Sequence, residues 1–306
     1  MTGWRLISDV GGTNIRFARV FDQENIVRRF SYPVTQFDSF LDALRTYADE
    51  TGGLNGCRGA AIGAAGPVAL GSARLTNLSW LIDEAEVAAE IGAPCTVIND
   101  VEAAAHSMPA LSNSEYIALG GPSPNLGTAH RLLIVNIGTG FGAAGLVRTA
   151  AGWMSSPSEA GHMSLPLSEG DEALLRPNFK SVEDALSGRG LPNLHAALSG
   201  DASRYTAEEI CTRSEPKFAA TLRVFTEIAG DVLGNLALAL AAWDGVFLVG
   251  SVAKGFAHAA DHAALREAFE DKGPMKESMR RIPLALIEKV DPTLFGLAAL
   301  SFRPRL

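Results

Sequence analysis

The chain has little cysteine, no excess of basic charge and no long apolar run, and each shortage removes a class of protein. Its 306 residues include only three cysteines, Cys57, Cys95 and Cys211, and no CxxC pair. Neither a disulfide framework nor a zinc knuckle is indicated, and a reducing, cytoplasmic setting is expected. Lys and Arg number 26 against 34 Asp and Glu, a formal net charge of −8. That balance speaks against a surface that neutralises a nucleic-acid backbone or docks on anionic lipid. The most apolar helix-like stretch, 232–243, lies between Asp231 and Asp244 and falls short of the ~20 residues of a membrane span. Residues 1–10 alternate like a strand and hold Asp9, with no basic segment leading into an apolar one, so no signal peptide is expected.

What the chain does have is 47 % hydrophobic and 20 % charged residues, enough apolar surface for a globular core and, at this length, for two domains. Residues 5–10, 15–20 and 25–34 predict an antiparallel three-strand meander. Phe37, Phe40, Leu41, Leu44 and Tyr47 predict a helix over 37–48, followed by a buried strand at 59–63, a helix at 83–91, a strand at 95–98 and a helix at 102–108. Asn, Ser, Pro and Gly gather over 113–129, which reads as the crossing between halves. Then 131–137, the turn Gly138-Thr139-Gly140 and 142–147 repeat the opening scheme of strand, glycine turn and return strand, as if two half-chains shared one design. A long helix over 216–243, a strand at 245–249 ending in Gly250-Ser251, a strand at 282–287 and a closing helix at 292–302 complete the pattern.

Two glycine turns and the pair Asn99-Asp100 are the candidates for chemistry. Asp9-Val10-Gly11-Gly12-Thr13-Asn14 places a carboxylate at a strand end, then backbone N–H groups with no Cβ in front of them, then two hydrogen-bonding side chains, a cradle suited to phosphate. An ordinary hairpin turn with glycine at positive φ fits the same residues. Gly138-Thr139-Gly140 tilts the balance, because two such turns in two similar halves are able to hold one nucleotide between them. Gly138-x-Gly140-x-x-Ala143 also fits a dinucleotide fingerprint, but a return strand follows where that motif opens a helix. Gly250–Gly255 has P-loop spacing with Phe256 where lysine is needed. Asn99-Asp100 follows a buried strand, where α/β ligand sites form, and Asp100 is a catalytic carboxylate, the N-cap of the next helix, or both. Glu159-Ala160-Gly161-His162 and Glu183, taken alone, read as solvated surface.

Taken in order, Asp9 to Asn14, Thr76-Asn77 with Trp80, Asn99-Asp100, Gly138 to Gly140, Glu159 to His162, Glu183 with Leu186-Ser187-Gly188, Gly234-Asn235-Leu236 and Asp271-Lys272-Gly273 resemble the bacterial glucokinases of proteobacterial type, in the actin, Hsp70 and hexokinase superfamily. The resemblance runs nearly end to end. It implies a two-domain α/β fold of the actin-like ATPase (ribonuclease H-like) kind with an interdomain cleft: a small domain of 1–109 plus 293–306 and a large one of 110–292. It implies ATP and Mg²⁺ as cofactors and glucose as substrate. Asp100 would be the general base on the 6-hydroxyl, while Asn77, Asn99, Glu159, His162 and Glu183 would hold the other hydroxyls. Asp9 would approach magnesium through water, Gly11, Gly12, Thr13, Asn14, Gly138, Thr139 and Gly140 would embrace the phosphates, and Gly250 would border the adenosine. A cytoplasmic homodimer with no nucleic-acid or membrane partner is implied. Two positions depart from the pattern: Ser251 stands where a second glycine is usual, and Ala160 where Glu-Gly-Gly is commoner. The cysteine-rich zinc motif of the related ROK sugar kinases is absent, so no structural metal is expected. A kinase for glucosamine, mannose or fructose, a catalytically silent sugar-binding regulator and a sugar-independent ATPase are the alternatives.

Overall fold

A computed structural model describes residues 3–21, 25–75, 78–201, 204–213 and 215–300. The chain divides into two units, Met1–Met108 with Val290–Leu306, and Pro109–Lys289. In the first, Trp4–Val10, Asn14–Val20 and Ile26–Pro33 form the antiparallel meander that the alternation predicts, and Cys57–Ala64 and Cys95–Asn99 extend the sheet as parallel strands beyond Trp4–Val10. Parallel strands are covered on both faces, which is why Cys57–Ala64 is an almost unbroken apolar run and Ala60, Ala61 and Ile62 are all buried. One face packs Phe17 against Phe40 and Tyr47, with ring centroids 5.7 and 5.0 Å apart. The other receives Leu294 and Leu297 of the closing helix Pro292–Ala299. That helix lies on Asp100–Ala105 at backbone contact, since a Cβ on Gly296 would stand 1.8 Å from the Ala103 carbonyl oxygen.

The helix expected from Phe37 begins at Phe40 and runs to Thr51. Ser39 is extended and its Oγ accepts the Asp42 N–H, so the cap sits between Phe37 and the first helical turn. A small sheet of Val68–Ala69, Ser72–Arg74 and Leu81–Asp83 leads into the helix Glu84–Ile91.

The second unit repeats the strand order. Gly152–Ser158, Phe141–Thr149 and Arg131–Ile137 are antiparallel neighbours, Val246–Val249 and Leu284–Ile287 continue in parallel, and Tyr116–Ala118 closes the edge antiparallel. The unit boundary falls at Met108 and Pro109, ahead of the polar stretch read as the crossing, because the 3-10 turn Met108–Ala110 already ends the helical run and Tyr116–Ala118 belongs to the second sheet. Helix Pro216–Ala239 packs on His262–Glu270 through Gly230 and Gly234, whose Cβ atoms would lie 2.7 Å from the Leu265 and 2.5 Å from the Phe269 carbonyl oxygens. The Gly234-Asn235-Leu236 signature is therefore a helix-packing device at its glycine. Among the described residues no helix is long and apolar enough to cross a membrane.

Candidate active site

In the first unit the parallel register sets Asp9 opposite Gly63 and Ala64 opposite Asn99. Asp9 and the Asn99-Asp100 pair thus emerge together at the carboxyl ends of the strands. Asn99 is the N-cap: its Oδ1 accepts the N–H groups of Val101 and Glu102 at 2.9 and 3.3 Å, and its Nδ2 donates to the Gly66 carbonyl at 3.1 Å. This corrects the capping role offered to Asp100, which is the first helical residue. Asp100 Oδ1 accepts the Val101 N–H at 2.9 Å. Burial, and next the nearby Asp9 charge, push the Asp100 carboxyl up to about 7.

Asp9 is itself held above the ordinary carboxylate range by burial, a shift that Asp291 adds to and Arg16 opposes. Its Oδ2 accepts from Arg16 Nη1 at 2.9 Å, and the same nitrogen lies 3.6 Å from Asp291 Oδ1. Asp291 caps the closing helix from the left-handed region, at φ 53°. The glycine turn beside this network is closed by Gly11 N–H donating to Asn14 O at 2.9 Å and by Val34 N–H donating to Thr13 O at 3.0 Å, with Asn14 Nδ2 on Thr13 Oγ1 at 3.2 Å. Neither Gly11 nor Gly12 sits at positive φ. The segment is the hairpin that joins Trp4–Val10 to Asn14–Val20, but conformation alone does not demand glycine at these two positions.

In the second unit four segments meet. Gly138 N–H donates to Gly140 O at 3.0 Å and closes the second turn around Thr139, while Gly188 N–H donates to Gly138 O at 2.7 Å. Glu183 Oε2 accepts the Phe141 N–H at 3.0 Å, and a Cβ on Gly140 would stand 2.6 Å from that oxygen. A Cβ on Gly161 would lie 2.6 Å from the Phe141 carbonyl oxygen. Glu159-Ala160-Gly161-His162 contains a 3-10 turn, Ala160–His162, with the Glu159 carbonyl accepting the His162 N–H at 3.0 Å. Ala160 and Gly161 are buried, which leaves the side chains of Glu159 and His162 exposed on the rim. Gly250, at φ 109°, opens the helix Ser251–Ala259, and its Cβ would meet Asn136 Oδ1 at 2.4 Å and Ile137 O at 2.5 Å. The N-terminus of that helix therefore adjoins the turn at Gly138, an arrangement that favours anionic oxygens. Ser251 is exposed at its first position.

Magnesium takes one or two carboxylates, keeps several waters and completes its shell with substrate phosphates. Asp9, a carboxylate at a strand end beside a glycine turn, fits such an ion, and the glycine turns fit a polyphosphate. Asn77 lies outside the described residues. Sequence reasoning missed Arg16 and Arg189, which pair with Asp9 and Glu183 seven and six residues away, and Asp291, which shares Arg16 with Asp9; the signal that could have found the first pair is the hairpin register, which sets Asp9 opposite Arg16.

The glucokinase family profile matches residues 6–303. Glucokinase of Nitrobacter hamburgensis is 34% identical over 320 residues, covering 99% of this chain and 99% of that protein, and glucokinase of Aromatoleum aromaticum is 36% identical over 310 residues, covering 96% and 93%. The crystal structure of glucokinase from an Antarctic psychrotroph superposes with a TM-score of 0.81 at 28% identity, covering 98% of both chains. A match that spans both units, taken with strand-end carboxylates in one and a glycine turn knotted to Glu183 in the other, places the chain in the glucokinase family.

Proposed function

We infer that the chain is an ATP-dependent glucokinase that phosphorylates the 6-hydroxyl of glucose, with Asp100 as general base. The observation that carries the role of Asp100 is its place at the same carboxyl edge of the sheet as Asp9, one strand, Cys57–Ala64, lying between them, with burial and the Asp9 charge raising its pKa to about 7. A base with that pKa accepts a hydroxyl proton at neutral pH and releases it again, the balance that proton transfer needs. Asn99, locked as a cap, keeps its backbone fixed. Asn99, Glu159, His162 and Glu183 offer the mixed donors and acceptors that a ring of hydroxyls requires, and Asn77 completes that set in the proposal.

Phosphoryl transfer through a loose transition state demands alignment and charge dispersal more than covalent chemistry. Gly11, Gly12, Thr13 and Asn14 from one unit, and Gly138, Thr139 and Gly140 from the other, are assigned to the phosphates, with Gly250 bordering the adenosine. Magnesium, held by Asp9 through water, would neutralise charge on the β- and γ-phosphates. The finer part of the proposal is an actin-like arrangement with an interdomain cleft: residues assigned to one reaction are divided between the units, so sugar and nucleotide would meet where the units come together and exclude water. A cytoplasmic homodimer belongs to the same proposal.

The experiment is ADP release from MgATP by purified protein over glucose, glucosamine, mannose, fructose and no sugar, with Asp100→Asn alongside. Fast release with glucose, lost in the variant, is the expected result. Release with another hexose alone moves the substrate and keeps the mechanism, whereas sugar binding without release makes the protein a sensor.

A further inference from the structure

Glu183 is held by a residue to which the resemblance assigns nothing. It sits in the four-residue helix Val182–Ala185, and its two oxygens have separate partners: Oε2 accepts the Phe141 N–H at 3.0 Å, and Oε1 accepts from Arg189 Nη2 at 3.0 Å. A carboxylate offers about four lone-pair directions, so each oxygen keeps one for a sugar hydroxyl. The backbone around Arg189 is fixed on both sides. Gly188 N–H donates to Gly138 O at 2.7 Å, and Gly190 N–H donates to Ser187 Oγ at 3.1 Å. The arginine side chain, by contrast, is 66% exposed. An ion pair that open to water adds little to folding, yet a second anchor on Glu183 removes the rotation left by a single hydrogen bond.

Resting on the reading of Glu183 as a sugar ligand, we propose that Arg189 is a positioning residue: it orients the Glu183 carboxylate so that its remaining lone pairs face the hydroxyls before sugar arrives. Arg189 acts on sugar affinity through Glu183 and touches neither the phosphates nor the transferred proton. Because the pair is exposed, its hold weakens as salt screens it, over a Debye length of about 10 Å at 0.1 M.

The test is steady-state ADP release by the full chain with Arg189→Ala, Arg189→Lys, Glu183→Gln and the Arg189→Ala/Glu183→Gln double variant. Arg189→Ala is expected to raise the glucose KM about 5- to 10-fold, with kcat and ATP KM within about twofold and Tm nearly unchanged. Arg189→Lys should recover part of the loss, since it keeps the charge without the planar fork. In the Glu183→Gln background the arginine substitution should add less than about twofold, the coupling expected of contacting groups. Raising ionic strength should increase the glucose KM of the wild type more than that of Arg189→Ala. A glucose KM unchanged in Arg189→Ala, independent effects in the double variant, or a fall in Tm with both KM values rising would each overturn the proposal, the last by showing a structural role. If the wild type releases no ADP with any hexose, the glucokinase reading itself falls and Arg189 with it; wild-type turnover with an indifferent Arg189→Ala removes only the arginine.

Discussion

The two units build the same strand order and then equip it differently. In Met1–Met108 with Val290–Leu306 the ends of the parallel strands carry side-chain charge: the Asp9 charge adds to the burial that raises Asp100, and Arg16 and Asp291 act on Asp9. In Pro109–Lys289 the corresponding turn is made of backbone, with Asn136 in place of an acid and Gly138, Gly140, Gly161, Gly188 and Gly250 brought within contact of carbonyls and of Glu183. One copy of the design works by crowding carboxylates, the other by removing Cβ atoms. Substitutions should therefore act through charge and kcat in the first unit and through sterics and KM in the second.

The largest effect that would break this contrast lies at Asp100. Asp100→Asn should lower kcat by about 10²–10⁴-fold, the usual worth of a positioned base. The same change should stabilise the unliganded protein. Folding raises the Asp100 pKa from 3.8 to about 7, so across that interval the folded chain keeps a proton that the unfolded chain has lost. The stability contributed by the protonated group is present below about pH 4 and disappears as pH rises to 7. The variant's advantage in Tm should widen from pH 4 to 7 and stay level above it. A wild-type kcat/KM profile should show an acid limb near pH 7 from the same group, and a limb below pH 5 would sink the assignment.

Next in size come the glycines. Gly250→Ala meets both a positive φ of 109° and a contact of 2.4 Å with Asn136. It should lose about 1–3 kcal/mol of stability and raise the KM for ATP several-fold more than that for glucose; equal rises in the two would show that this turn does not belong to the nucleotide. Gly296→Ala, by comparison, pushes the closing helix off Ala103 and should reduce Tm at least as much. Being a packing change, it should show no preference between the two substrates.

Much of this was legible from residue order. The first meander announced itself by alternation, and in the second unit the apolar run Arg131–Ile137, its glycine turn and its return strand were read as a repeat of that opening, while the third strand, Gly152–Ser158, was missed because its mostly exposed residues carry no apolar alternation. The short strands Val68–Ala69, Ser72–Arg74 and Leu81–Asp83 were invisible because two or three residues carry no periodicity. The capping of Asp100–Ala105 was misplaced by one residue, since Asn and Asp are equally good caps and only backbone geometry chooses between neighbours. Within the proposed site, Asp9 and Asp100 stood out from the residue pattern and Glu183 through the family resemblance, whereas the residues paired with Asp9 and Glu183 did not. Arg16 meets Asp9 through the register of its hairpin and Arg189 meets Glu183 six residues back, and which carboxylate oxygen each occupies is a matter of side-chain geometry that residue order does not carry.

The smallest expected effect sharpens the comparison at adjacent positions. Ala160 departs from the family's commoner glycine, yet it is 3% exposed within the large core of its unit and is not among the residues at positive φ. Its methyl fills space without strain. Ala160→Gly should therefore lose about 0.5–1 kcal/mol through the added freedom of the unfolded chain and leave the glucose KM within about twofold. Gly161 is the reverse case. Its Cβ would stand 2.6 Å from the Phe141 carbonyl and 3.6 Å from Glu183 Cβ, so Gly161→Ala must displace the strand that feeds the Glu183 hydrogen bond, and the glucose KM should rise with it. Thermal melts and sugar titrations on the two variants read both quantities. If Ala160→Gly improved sugar binding, or Gly161→Ala left it untouched, the glycine in this segment would be serving loop conformation and not the close approach that packs it on Phe141 beside the proposed phosphate turn.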